Sequence, residues 1–339
     1  MKVTAALRRT LTVQSSINVS CRRRYSLKPA LFLIFLSFAA PSFSSQRVRL
    51  VPHLCAGQTL FYRIDFSSSR KMRTESRLAT PPAPATENLN VSALLQVEVI
   101  EATAGGFRLK TYYSDREPAP ALPNSATTES SAASAADKVV EIAIAANGSA
   151  SQIKGFDQLS PAQQFVWNDW LGRFTSSMTY PNGGVHPGQK WESAEPETAA
   201  SPIASLLWSK KSEYVRDERC AASAEPPKSS GNSSSATSNS CAVVLIRATL
   251  RQKSSPKNST PEDYKARNLK TRGTASGQND SILYISRVSG LLVRSAEDAQ
   301  QSMDVFVELA DGSNQVHDSL DAKSHSEILL LSDSPQTAH

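Results

Sequence analysis

Hydrophobic and polar positions alternate with a period of two along most of this chain, and one stretch breaks the rhythm. Leu60, Tyr62, Ile64 and Phe66 alternate with Phe61, Arg63, Asp65 and Ser67, the pattern of a half-buried strand. Leu94–Glu101 and Phe107–Tyr113 predict a hairpin around Gly105-Gly106. Val139–Ala145 and Ser149–Lys154 predict another around Asn147-Gly148, whose residue types suit a tight two-residue turn. Later strands are expected in Ile203–Arg219, Cys241–Lys253, Leu291–Glu297 and Met303–Leu309, the last turning at Asp311-Gly312 into Gln315–Ala322. Asn268–Ser276 and Ser281–Val288 are expected to pair across Gly277-Gln278, and Ile328–Leu331 to form a last strand or a frayed tail.

The exception lies in Gly155–Trp191, which holds three of the four tryptophans. Ser160 fits an N-cap, Pro161 the first helical position, and Gln163 completes a capping box. Val166, Trp167, Trp170, Leu171 and Phe174 then recur on one helical stripe, with Gln163, Gln164, Asn168, Asp169 and Arg173 between or opposite. The helix should end near Ser176 or Met178, ahead of Pro181-Asn182-Gly183-Gly184. So much aromatic surface on one face needs a sheet to lie on.

Many strands at hairpin spacing around one helix exclude a parallel α/β order. The expected fold is mainly β (α+β): antiparallel hairpins forming an open barrel or strongly curved sheet, with one central amphipathic helix on the concave side. Residues 45–333 are expected as a single β-rich domain, interrupted by polar excursions at 79–92, 116–137 and 221–240 and followed by a tail at 334–339.

The start of the chain reads differently. Arg22-Arg23-Arg24, the apolar run Leu31–Ala40 and the small residues Ser42, Ser44 and Ser45 follow the order of a secretory signal peptide, assigned to 1–44. The apolar run is too short to span a membrane. The expected location is therefore exported, periplasmic or extracellular, and not transmembrane after cleavage. The charge balance supports no nucleic-acid role. Residues 1–44 hold seven of the 37 basic residues and none of the 31 acidic ones, so the remainder is near neutral. Cys220 and Cys241 bracket a Ser/Ala-rich stretch and are expected to form a disulfide across its neck, as an oxidising compartment allows, leaving Cys55 unpaired.

No catalytic signature emerges. A nucleophile elbow, a zinc-protease motif, a phosphate loop and a dinucleotide glycine pattern are all missing. Ser68-Ser69-Arg70-Lys71 fits Ser-x-x-Lys but lies in strand-like sequence, where an acylating serine would need a helix start. His317 and His325 flank Asp318 and Asp321, which admits a carboxylate–imidazole cluster or exposed residues of an edge strand. Neither a cofactor nor a metal site is expected; scattered cysteines without a C-x-x-C pair are poor zinc ligands. The aromatic group Trp167, Trp170, Phe174, Trp191 and Trp208 is the strongest candidate. It either fills a core or lines an apolar cavity for a lipid-like ligand.

Leu159-Ser160-Pro161, the Trp-bearing helix, Val185-x-Pro187-Gly188-x-x-Trp191 and Ser289-Gly290-Leu291-Leu292-Val293 together resemble a group of uncharacterised, secreted, β-rich bacterial proteins. The resemblance implies a signal peptide and a β-rich domain, and no activity. Two roles are expected from these readings: an exported non-enzymatic protein holding an apolar or lipid-like ligand in the envelope, or a structural or protein-interaction module there. A hydrolase is the weaker third.

Overall fold

The computed structural model describes residues 46–76, 85–115, 138–197, 201–220 and 240–335. Eleven antiparallel strands form one sheet. They are β1 (Gln58–Ser76), β2 (Ala85–Thr103), β3 (Gly106–Asp115), β4 (Lys138–Ala145), β5 (Ala150–Lys154), β6 (Lys190–Pro196), β7 (Leu206–Arg219), β8 (Ser240–Gln252), β9 (Leu269–Ser286), β10 (Leu292–Leu309) and β11 (Val316–Pro335). Helix α1 (Pro161–Ser176) lies between β5 and β6, and the five-residue α2 (Glu262–Ala266) precedes β9.

The strand order is β5-β4-β3-β2-β1-β11-β10-β9-β8-β7-β6. Each strand pairs with its sequence neighbour, and β1 pairs with β11, joining the two ends of the chain. The one missing pair is β5 with β6, where α1 interrupts the chain. The result is an up-and-down meander left open at the helix. The open edges are short, five and seven residues, which limits their exposed backbone.

The sheet is curled around α1. Side chains of α1, and that of Tyr180 just after the 3₁₀ turn that follows it, reach β4 (Lys138–Gln163), β3 (Trp167–Thr111), β1 (Tyr62–Trp170), β11 (Ser326–Asp169), β10 (Arg173–Ser295) and β6 (Tyr180–Trp191). Flat, a sheet spanning β4 to β6 would be roughly 40 Å wide at ~4.8 Å per strand, far beyond the ~10 Å breadth of one helix.

The helix forms as its sequence dictates. Ser160 Oγ accepts from the Gln163 N–H, and the Gln163 side chain accepts in return from the Ser160 N–H. Pro161 opens the helix, and a 3₁₀ turn at Ser177–Thr179 closes it. The turns at Asn147-Gly148 and Asp311-Gly312 also fall where the residue types require, Gly148 at φ 82° and Gly312 at φ 81°.

Two expectations are corrected, and one that had two alternatives is decided. The predicted hairpin at Gly277-Gln278 is the middle of one continuous strand, β9. The glycine is there for contact: a Cβ would sit 3.0 Å from Trp208 Cη2 and 3.3 Å from Leu250 Cβ. The polar excursion expected over 79–92 is strand from Ala85 onward, because Ala85–Ser92 pair with Asp65–Met72 and backbone pairing carries the hairpin beyond its apolar pattern. Ile328–Leu331 belong to the 20-residue β11. The excursion at 116–137, nearly all of that at 221–240, residues 1–44 and the last residues of the 334–339 tail lie outside the described residues, whereas Ser240 begins β8.

Candidate functional site

Length sets up the site. Helix α1 is ~24 Å long at 1.5 Å per residue, whereas β1, β2, β9, β10 and β11 have 18 to 20 residues each, or ~60 Å at about 3.3 Å per residue. The helix therefore covers only part of the sheet face on which it lies, called here the inner face.

Beneath the helix the inner face is filled by rings. Trp170 stacks on Phe174 at 5.0 Å, Trp167 lies 6.1 Å from Trp170, and Tyr62 of β1 lies 5.9 Å from Trp170 and 6.3 Å edge-on from Phe174. Trp167, Trp170 and Phe174 are at most 1% exposed. Trp167 Nε1 donates to Thr111 Oγ1 (3.0 Å), and the Tyr62 hydroxyl donates to the Leu292 carbonyl (3.1 Å). Burial, then the Asp333 charge, pushes the Tyr62 phenol far above its usual range, so it remains a donor. Of the five aromatic candidates, the structure brings Trp167, Trp170 and Phe174 together. Trp191 packs against Tyr180 at the rim of the same cluster. Trp208 is in a second cluster at the other end of the sheet, so the five do not line one pocket.

A polar belt follows, unannounced by the helix periodicity. Arg173 and Gln163 were expected beside or opposite the apolar stripe; they are 6% and 7% exposed, because the curled sheet contacts the helix on more than one side. Arg173 pairs with Asp169 (2.7 Å) and Glu297 (3.3 Å) and donates to Ser295 Oγ (3.2 Å). Ser326 donates to Asp169 (2.7 Å) and Ser281 to Glu297 (2.6 Å). Each carboxylate thus has a cation and a hydroxyl, the condition for holding charge inside a fold. Among the described residues, Arg173 Nε and Trp170 Nε1 have no hydrogen-bond partner though both are buried.

Past the belt the inner face turns apolar again. Register places Met72 beside Leu320, Leu320 beside Met303, and Met303 beside Ala275. Further along, Val305, Val307, Val316, Leu269 and Leu309 share the same face by the two-residue period. Ile203, Leu206, Leu250, Ala275 and Val305 form a buried cluster here, with Trp208, Met303 and Val307 against it. The connection from β8 to β9 closes one side: Ser259 and Thr260 are buried and bond the Thr271 backbone. A cavity of about 420 Å³ opens between Tyr264 of α2 and the strand ends, lined by Leu269, Val307, Leu309 and Val316 together with Glu308, Asn314 and Asp318. Met72 is 41% exposed. This second apolar basin, with no long helix above it among the described residues, is the candidate site. The helix and strand periods give no sign of it, because its residues come from several strands and become neighbours only once the register is set.

The histidines do not converge on Asp318 and Asp321. His317 meets Asp304 (3.0 Å) and Glu75 (3.6 Å) and stacks on Phe306, while His325 meets Asp298 (2.8 Å). These contacts are on the opposite, outer face by the strand period. Among the described residues no group of three or more His, Cys, Asp or Glu is placed to hold a metal ion. Ser68–Lys71 lie within β1, so the serine starts no helix.

Cys220 and Cys241 form the expected disulfide, with Cα atoms 5.0 Å apart. Cys55, expected unpaired, is itself disulfide-bonded.

No family model matches the chain, and no curated protein sequence does. Among solved structures, it is similar at 7% identity to the outer membrane protein OprG of Pseudomonas aeruginosa, over 83% of this chain and 97% of that one, with a TM-score of 0.17. An outer membrane channel from Pseudomonas putida F1 is 11% identical, over 86% of this chain and 100% of that one, with a TM-score of 0.15. The attachment invasion locus protein Ail of Yersinia pestis is 6% identical, over 80% and 99%, with a TM-score of 0.10. Similarity at these TM-scores carries no argument about architecture or role.

Proposed function

We propose that this protein is an exported, non-enzymatic binding protein of the cell envelope that holds an apolar or lipid-like ligand in its second basin. The observation that carries the reading is the pair of apolar zones on one sheet face, of which α1 fills only one. An apolar face that the described residues leave open at the end of four long strands costs solubility unless something occupies it. The basin has the composition of a ligand pocket, apolar walls with a few polar groups at the rim. Its two methionines, Met72 and Met303, provide adaptable contact with an acyl chain. Export rests on Arg22–Arg24, Leu31–Ala40 and Ser42–Ser45, and the Cys220–Cys241 disulfide suits an oxidising compartment. The motif resemblance to secreted β-rich bacterial proteins points the same way.

Native mass spectrometry of the purified protein tests this. The expected result is a co-purifying apolar species, removed by organic extraction and replaced by an added neutral apolar probe. A protein that carries nothing and takes up no probe would rule the reading out.

A second reading, a protein-interaction module, is favoured by the outer face. Leu245 pairs with Ile282, Ile282 with Ala296, and Val243 with Tyr284, giving an apolar strip opposite the helix. A crosslinked partner seated on Leu245 and Ile282 would favour that role.

A further inference from the structure

We infer that the basin selects amphiphiles carrying a positive charge, such as long-chain amines, over neutral or anionic ones. This rests on the basin being a ligand site at all. Its basis is the charge at the rim. The described side chains lining the 420 Å³ cavity include two carboxylates, Asp318 and Glu308, and among them no cation. Asp318 is the one that faces inward: register sets it between Thr74 of β1 and Val305 of β10. Val305 is 1% exposed, so this carboxylate stands at the edge of an apolar wall. It accepts a hydrogen bond from Thr74 Oγ1 (2.6 Å), a neutral donor that orients it and leaves its charge unneutralised.

Among the described residues the nearby cations are engaged or distant. Lys270 stands opposite Glu308 across the β9–β10 pair, on the outer face. Arg267 lies over the Tyr264 ring at 4.6 Å and pairs with Asp263 at 3.2 Å. Arg73 pairs with Glu75 at 2.6 Å. Arg70 shares the inner face of β1 with Thr74 but is four residues nearer the helix, ~13 Å away at 3.3 Å per residue. An apolar chain lying against Val307, Leu309 and Val316 would thus present its head to Asp318. There an ammonium gains a charge-assisted hydrogen bond and a carboxylate or phosphate meets like charge. Tyr264 and Asn314 at the same rim supply neutral hydrogen-bonding groups that do not offset that preference.

The test uses three probes with the same tag and chain, one ending in an amine, one in an alcohol and one in a carboxylic acid, titrated into the full chain at neutral pH. The amine should bind about three- to tenfold more tightly than the alcohol, as expected for one partly screened ion pair, and the acid more weakly than the alcohol. Asp318→Asn should bring the amine down to the level of the alcohol while leaving the thermal midpoint unchanged. Added salt should shrink the amine's advantage in the wild-type protein. Equal binding of all three probes, tighter binding of the acid, or an unchanged ranking in Asp318→Asn would overturn the charge assignment and leave the basin reading standing. Binding of none of the three would remove both.

Discussion

The two ends of the same strands solve the same problem differently. At one end, β1, β2, β10 and β11 present apolar side chains to α1, and the contact is closed by Trp167, Trp170, Phe174 and Tyr62. At the other end, β1, β10 and β11 again present apolar side chains, but a short loop and the five-residue α2 cover only part of them. One end is a core made by the chain for itself. The other is a surface of core-like composition that the described residues cover only in part, and it is where the proposed ligand is placed. Between them, Arg173, Asp169 and Glu297 mark where the self-made core stops.

The comparison predicts that stability is concentrated at the helix end and binding at the basin end. The largest effect should come from Trp170→Ala, which empties the ring stack. A loss of about 3–5 kcal/mol is expected for a fully buried aromatic, read as a fall in the denaturation midpoint. Arg173→Met should cost roughly 3 kcal/mol, because it strands two carboxylates against the sheet rather than removing the pair cleanly. A triple change of Arg173, Asp169 and Glu297 to apolar residues should recover most of that loss in the same denaturation series. Replacing Cys220 and Cys241 by serine should cost on the order of 3 kcal/mol in the chain-entropy account of a closed loop this size, and reducing agent should reproduce part of it. Ser160→Ala should cost about 1 kcal/mol through the lost cap, visible by thermal melting. Met303→Ala should cost less than all of these, ~1 kcal/mol or under at a half-exposed position, yet weaken uptake of a neutral apolar probe several-fold. If Met303→Ala proved as destabilising as Trp170→Ala, the basin would be a second core and the contrast would fail.

How much of this is legible in the sequence follows from the range of the forces involved. The capping box at Ser160 and Gln163 and the turns at Gly148 and Gly312 are local, and neighbouring residues specify them. Ser289-Gly290 is similar but stricter: Gly290 has φ 68°, and a Cβ there would sit 2.0 Å from the Val51 carbonyl oxygen. The aromatic stripe of α1 announced a buried face, and the structure buries it. Arg173 could not be read this way. Its burial depends on how far the sheet curls, a property of eleven strands together. Gly277 misled for a related reason, since glycine signals a turn locally but here makes room for Trp208, nearly seventy residues away in sequence. The basin was the least legible feature. Met72, Leu320, Met303 and Ala275 come from four strands and are neighbours only once the register is set. Trp167, Trp170 and Phe174 share one helical stripe, and the structure brings them together. Adding Trp208 to them joined the two ends that the structure separates.

The most direct measurement is a titration of a neutral apolar fluorophore into the wild-type protein and into Val307→Asp, which puts a charge on the basin wall far from α1. Saturable binding to the wild type, lost in Val307→Asp at a temperature where circular dichroism shows the variant still folded, is the predicted result. Undiminished binding in Val307→Asp would contradict it, and would move the ligand away from the basin.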